Sequence, residues 1–267
     1  MSDHMGGPVA WLLAVVAAAT MLFILAPLLV TVAISIEPSR FVTFPPGGFT
    51  LGWYGQVLAD SEFQQSLVFS TLLALGATAG ALALGVPAAF AIVRHKFPGR
   101  GAAEAVLLSP LIFPVLITGV ALLQMFAMLN ATNTSLNMLI AHVLVTMPYV
   151  VRTVAGSLLL ADTALEDAAR TLGANRWMVF RRITVPQIAP GLAAGALFAF
   201  MVSFDNFPIS LWLADAQHNP IPILVFQRIA NVFDPSIAAI STLMIVLSMG
   251  IVVAMERAIG LRRAVSI

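Results

Sequence analysis

The chain has 267 residues, of which 60% are hydrophobic and only 9% charged, and its mean hydropathy is +0.98; soluble domains carry roughly 25% charged residues. That excludes an ordinary soluble domain, and zero cysteines exclude disulfides and thiolate metal sites. The net charge of +1 gives no bulk basic surface for nucleic acid, so what remains is a polytopic, all-α membrane bundle forming one membrane domain.

Residues 1–8, MSDHMGGP, are short and polar. The first span is expected at 9–34; it is too long for a signal-peptide core and lacks a basic leader, so it reads as a retained helix. Residues 35–65 form a loop rich in Pro and Gly, within which LGWYGQVL (51–58) predicts a short interfacial helix with Trp53 and Tyr54 at headgroup depth. A second span follows at 67–93, with Gly76, Gly80 and Gly85 permitting close helix approach. After the basic turn RHKFPGR (94–100), a third span at 105–129 contains Pro110 and Pro114 and is expected to kink. The fourth lies at 136–160, with Arg152 inside it.

Residues 161–190 are polar and carry Arg170, Arg176, Arg181 and Arg182. Leu165, Ala168, Ala169 and Leu172 recur at helical spacing, Asp162 or Thr163 can cap the start, and Glu166 and Asp167 suit the first turn. Gly173 lets the backbone turn to positive φ and end that helix, and a second short helix is expected from Asn175 to about Ile183. The fifth span is expected at 191–213 with Asp205, Asn206 and Pro208 inside, then a loop at 214–236 and a sixth span at 237–255. Of thirteen Lys and Arg, ten lie in the 94–100 turn, the 161–190 loop and the C-terminal tail. The positive-inside rule then places both termini and the 161–190 loop in the cytoplasm, giving a cytoplasmic N-terminus at 1–8, a transmembrane domain at 9–258 and a cytoplasmic tail at 259–267.

The sequence contains no phosphate-binding GxxxxGK[ST] loop and no HExxH, and its four histidines are far apart. No catalytic, metal or cofactor constellation is legible, so the chain is not read as an enzyme. The polar residues inside spans need a different account, because a carboxylate in hydrocarbon costs at least ~2.5 kcal/mol on insertion scales. Asp205 falls in SFDNFP, where Pro208 loosens the helix and Phe204 and Phe207 offer aromatic faces; it is either a site for a polar or cationic solute or a structural partner of a group such as Arg152.

Asp167-Ala168-Ala169, with Gly173 six residues after the Asp and then Ile183 and Pro186, resembles the EAA loop of ABC importer permeases. The family pattern is Glu-Ala-Ala, three residues, Gly, nine residues, Ile-x-Leu-Pro. Here Asp stands for Glu and Val185 for Leu, and Glu166 is an adjacent carboxylate. GFTLGWYGQVL (48–58), PLIFPVLITGVALL (110–123), SFDNFPISLWLA (203–214) and the stretch 219–248 are similar to the spermidine/putrescine branch, nearer its second membrane subunit. The segment matching 203–206 in that branch reads Ser-x-Asp-Asp or Ser-x-Asp-Asn, so Asp205 matches and Asn206 is the neutral variant, which leaves room for monoamines and other small organic solutes.

The resemblance implies six spans with a cytoplasmic coupling helix between the fourth and fifth, in a bacterial inner membrane. It implies two ATP-binding subunits, a second homologous permease or a second copy of this chain, and a periplasmic solute-binding protein. Glu166, Asp167, Ala168, Ala169, Leu172 and Gly173 are the implied ATPase-coupling residues, and Phe204, Asp205, Asn206 and Phe207 the implied solute path. A self-contained secondary carrier or channel is the competing reading, although no internal repeat supports it.

Overall fold

The computed structural model describes residues 7–231 and 234–259. Within them every regular element is helical: α1 (Gly7–Ile34), α2 (Gly52–Ala59), α3 (Ser61–Arg94), α4 (Arg100–Leu108), α5 (Val115–Met128), α6 (Thr134–Leu160), α7 (Thr163–Thr171), α8 (Arg176–Val179), α9 (Val185–Phe204), α10 (Phe207–Leu213), α11 (Ile221–Asn231) and α12 (Pro235–Ile259). Residues 1–6, part of the expected N-terminal segment, and 260–267, most of the expected tail with Arg262 and Arg263, lie outside the described residues. The chain divides into two compact units, one of residues up to 60 with 227–247, the other of residues 61–226 with those from 248 on.

The larger unit is organised on α3, α6 and α9. Ala81 and Ala89 of α3, Val150, Val154 and Leu158 of α6, and Ile188 and Ala199 of α9 form one buried cluster. Small residues set its tightness. A Cβ at Gly191 would come within 2.6 Å of the Thr153 carbonyl oxygen, and one at Gly195 within 2.6 Å of the Thr153 hydroxyl. Helices in lipid gain little from apolar burial against each other, so close backbone approach at such positions supplies the packing. A second cluster joins Leu73, Leu122, Phe126, Met138, Val145, Ile209 and Leu213, and so brings α5 and α10 against α3 and α6.

The third span departs from expectation. Residues 105–129 are not one kinked helix: Arg100–Leu111 and Val115–Met128 meet at 103°. Pro110 lies in a 3-10 turn, Ser109–Leu111, and Pro114 takes extended ψ as the N-cap of α5. Ser109 stays helical ahead of Pro110, so the corner falls at Pro114, whose extended ψ starts a new helix and whose ring supplies no N–H to continue the old one. α5 has 14 residues and is therefore about 21 Å long, short of the ~30 Å hydrocarbon core. An apolar cavity of about 270 Å³, lined by Leu107, Pro110, Phe113, Leu144 and Met147 among others, occupies the inside of the corner. Among the described residues five single helices are long and apolar enough to cross a membrane, and six crossings result if the bent pair is one.

The fifth span also begins earlier than the expected residue 191. The second short helix of the 161–190 loop is not separate: α8, a π-helical segment Phe180–Thr184 and α9 run on as one apolar stretch, Arg176–Phe204. Pro186 lies just after the π-helical segment, and the stretch runs through it rather than ending before it. The stretch stops at Phe204 and α10 continues after a break at Asp205–Asn206. The 214–236 loop contains a helix of its own, α11.

In the smaller unit, most of α1 is exposed apolar surface. The loop after it is tied to one carboxylate. Glu37 is buried; its Oε1 accepts from Ser39 N at 3.0 Å and its Oε2 from Gly47 N at 2.6 Å and the Thr43 hydroxyl at 3.1 Å. The two backbone donors, Ser39 and then Gly47, hold its carboxyl below the ordinary value against the opposing effect of burial. The short helix expected at 51–58 is α2. Trp53 is buried there, and its indole N–H donates to the Glu37 carbonyl at 2.7 Å. Arg228 pairs with Asp60, the C-cap of α2.

Candidate functional site: an inverted helix and a broken span

α7 starts where Asp162 accepts a hydrogen bond from Ala164 N at 2.8 Å, and it ends at Leu172, followed by Gly173 at φ +87°. α8 is capped by Asn175, whose side chain accepts from Met178 N at 2.8 Å. Both caps and the glycine turn are where the sequence places them. The surface polarity of α7 is inverted. Glu166 is buried at 8% exposure, whereas Leu165 is 52% and Leu172 88% exposed. Ala168 is exposed and Ala169 half-buried. Trp177, at 67% exposure, extends the apolar surface onto α8.

The two adjacent carboxylates have separate environments. Asp167 is exposed and accepts from Arg170 Nη1 at 3.0 Å. Glu166 is turned inward: Arg94 Nη2, from the last residue of α3, donates to its Oε1 at 3.1 Å, and the Thr184 hydroxyl donates to the same oxygen at 3.0 Å. Arg170 Nη2 approaches the other oxygen at 3.5 Å. Arg94, His95, Glu166, Asp167, Arg170 and Arg176 border an open cavity of about 430 Å³ together with Phe90, Phe180 and Thr184. Sequence reasoning missed Arg94 and Thr184 as companions of Glu166. Arg94 read as one more cation in a basic turn, and no local signal links it to a residue 72 positions away.

The second group of singled-out residues lies at the break between α9 and α10. Asp205 is the C-cap of α9; its backbone N–H reaches Met201 O and its side chain is exposed, with no hydrogen bond or ion pair to any described residue. Arg152 is exposed on α6 and no described residue pairs with it either, so the expected alternative of an Asp205–Arg152 pair is absent. Asn206 is buried and caps α10, accepting from Ile209 N at 3.0 Å. Phe204 is buried and stacked on Phe200 with centroids 5.6 Å apart, and Phe207 packs at 5.2 Å from Phe226. Of the four residues at the break, Asp205 therefore offers the open polar group.

The depth of the break follows from its neighbour. Ser203 is hydrogen-bonded to the buried His142 Nδ1 at 2.8 Å. His142 stands eight residues into α6, about 12 Å along its axis. Asp205 is thus within the length of α6 and at the end opposite to α7. The terminal carbonyls of the 20-residue α9 add a partial negative charge at that point. Beyond α10, Asp215 receives His218 Nδ1 and the backbone N–H groups of Gln217 and His218 at 2.8–2.9 Å. Burial opposes its ionisation, but hydrogen bonds from Thr134, His218 and those backbone groups outweigh it and bring its pKa down to about 2.

Comparison with known proteins places this geometry in a context. The family described as "Binding-protein-dependent transport system inner membrane component" matches residues 81–262. The Putrescine transport system permease protein PotI of Escherichia coli strain K12 is 33% identical over 230 residues, covering 84% of this chain and 82% of that protein. The Spermidine/putrescine transport system permease protein PotC of Haemophilus influenzae is 28% identical over 227 residues, covering 85% and 88%. Among solved structures, a bacterial ABC transporter involved in the import of the acidic polysaccharide alginate has a chain of the same fold, with a TM-score of 0.70, 17% identity, and coverage of 97% of this chain and 98% of that one.

Proposed function

The chain belongs to the family of binding-protein-dependent transport system inner membrane components, as a permease subunit of an ABC importer, and we propose that its solute is a small amine of the polyamine class. Two relatives named for putrescine or spermidine support this, each aligned over most of the chain. So does the exposed, unpaired Asp205 at the negative end of α9. A carboxylate with a helix C-terminus favours an ammonium, and one such contact is weak enough to release it. Asn206 caps α10, so a single carboxylate, rather than a pair, meets the solute.

The observation that carries the coupling role is the inverted polarity of α7, which buries Glu166 and exposes Leu165 and Leu172. An apolar helix face with an adjacent Trp fits the cleft of a protein partner. That partner is an ATP-binding subunit, two to each transporter, and ATP hydrolysis takes place there and not on this chain. A second permease chain, homologous or identical, completes the membrane pore, and a periplasmic binding protein delivers the solute. The 161–190 loop and both termini face the cytoplasm, and Asp205 faces the path in the outer half of the bilayer. Asp167, Ala168, Ala169, Leu172 and Gly173 form the docking surface. ATP-driven closure of the partner moves α7 as a rigid body, and the membrane helices follow.

Gly173→Val tests this. A β-branched residue resists the φ of +87° found there, while no atom lies within 4 Å of the position to clash. The variant is expected to insert and to bind lipid normally but to lose putrescine uptake. Normal uptake together with normal assembly refutes the docking role.

A further inference from the structure

We infer that Glu166 is a positioning residue, a clasp through which α7 is fastened to two membrane helices at once. This rests on the coupling role proposed for α7 and deepens it. A docking helix transmits force only if it is held to what it must move, and α7 has little apolar means of being held. Its leucines face outward, and Glu166 is the one residue of the helix that is buried. That residue touches both neighbours. Arg94 is the last residue of α3, and Thr184 ends the π-helical segment that leads into α9. One carboxylate oxygen, Oε1, receives both donors, at 3.1 and 3.0 Å. Displacing α7 therefore loads α3 and α9 through the same atom, and these are two of the three helices of the packed core.

The clasp is also joined to the exposed surface. Arg170 spans the two carboxylates, bonding Asp167 outside and approaching Glu166 inside. A partner that engages Asp167 or Arg170 thereby alters the competition for Glu166. The bordering cavity admits water, so the contact is partly hydrated: the Arg94 and Glu166 side chains retain 21% and 11% exposure. A contact of this kind holds while remaining able to exchange partners, unlike a fully sealed pair.

The competing account is that Glu166 merely neutralises a half-buried arginine. Removing both charges separates the two. In the complete transporter reconstituted in liposomes, with putrescine as probe, Glu166→Gln, Arg94→Gln and the double variant are compared for putrescine carried per ATP hydrolysed. The double variant leaves no orphaned charge, so simple neutralisation predicts a wild-type ratio. A clasp predicts a ratio lowered about fivefold or more, the lower end of ordinary coupling between sites. Hydrogen exchange on the permease chain alone gives a second reading that needs no partner. Amides of Thr163–Thr171 should exchange faster in Glu166→Gln, while those in the middle of α3 stay protected. A wild-type ratio in the double variant overturns the clasp, and so does unchanged exchange. Gly173→Val, measured alongside, separates the failures. If it transports normally, the coupling role itself is wrong; if it is inactive while the double variant keeps its ratio, only the clasp is wrong.

Discussion

Replacing Asp205 by Asn distinguishes a solute contact from a scaffold contact, because the two roles move different quantities. The side chain is exposed and no described residue pairs with it. Removing its charge thus orphans nothing, and the cost to folding should stay within about 0.5 kcal/mol. At about 2–4 °C per kcal/mol for a domain of this size, the melting temperature should move by no more than about 2 °C. Had Asp205 been one half of a buried pair, the cost would be about 3–5 kcal/mol. On the transport side, the variant loses one charge-assisted hydrogen bond to an ammonium, worth about 1.5–3 kcal/mol. At 1.4 kcal/mol per decade, putrescine uptake at low concentration should fall about 10- to 150-fold. Uptake by proteoliposomes and melting in detergent are measured on the same preparations. Uptake within twofold of wild type with a lowered melting temperature would assign Asp205 to the scaffold and remove the structural support for an amine.

Two further expectations concern the framework. Gly191→Ala places a methyl group 2.6 Å from the Thr153 carbonyl oxygen and should destabilise by about 1–3 kcal/mol, whereas Gly156→Ala, with no neighbour within 4 Å, should leave the melting temperature unchanged or raise it; equal losses in both would contradict the close-approach account. The loop at 214–218 should respond to acid through Asp215. Its folded pKa of about 2 lies below the ordinary 3.8, so its stabilising contribution is complete above pH ~4 and is lost as pH falls toward 2, and the difference in loop hydrogen exchange between wild type and Asp215→Asn should vanish over that window.

Spans and caps were legible because they rest on local rules. Apolar length identified the spans, and Asp162, Asn175 and Gly173 announced their roles through side-chain reach or backbone freedom. Prolines were the weakest guide. Pro114 turned a corner where only a kink was expected, while Pro186 lies inside a stretch that runs on from Arg176, where the fifth span was expected only from residue 191. Both residues obey the same steric rule, and its outcome depends on where the preceding helix already stands. The 161–190 stripe of Leu and Ala was read correctly as helical, but its orientation was beyond reach. Which face turns inward depends on Arg94 and Thr184, which come from distant parts of the chain. Likewise the resemblance put Asn206 on the solute path, and nothing local announced that its side-chain oxygen caps α10.

The π-helical segment 180–184 has a consequence for angular phase. Val179 and Thr184 are both buried, yet five positions in an ordinary α-helix differ by about 140° around the axis. Closing the turn from i to i+5 brings them back toward one side, so Thr184 can reach Glu166 while Val179 stays covered and Trp177 stays outside. A residue gained or lost between Phe180 and Thr184 would turn everything upstream by about 100° relative to α9. Apart from Thr184, whose hydroxyl holds Glu166, the length of this segment constrains it more than its side chains do. The number of residues sets which way the cytoplasmic end of the span faces.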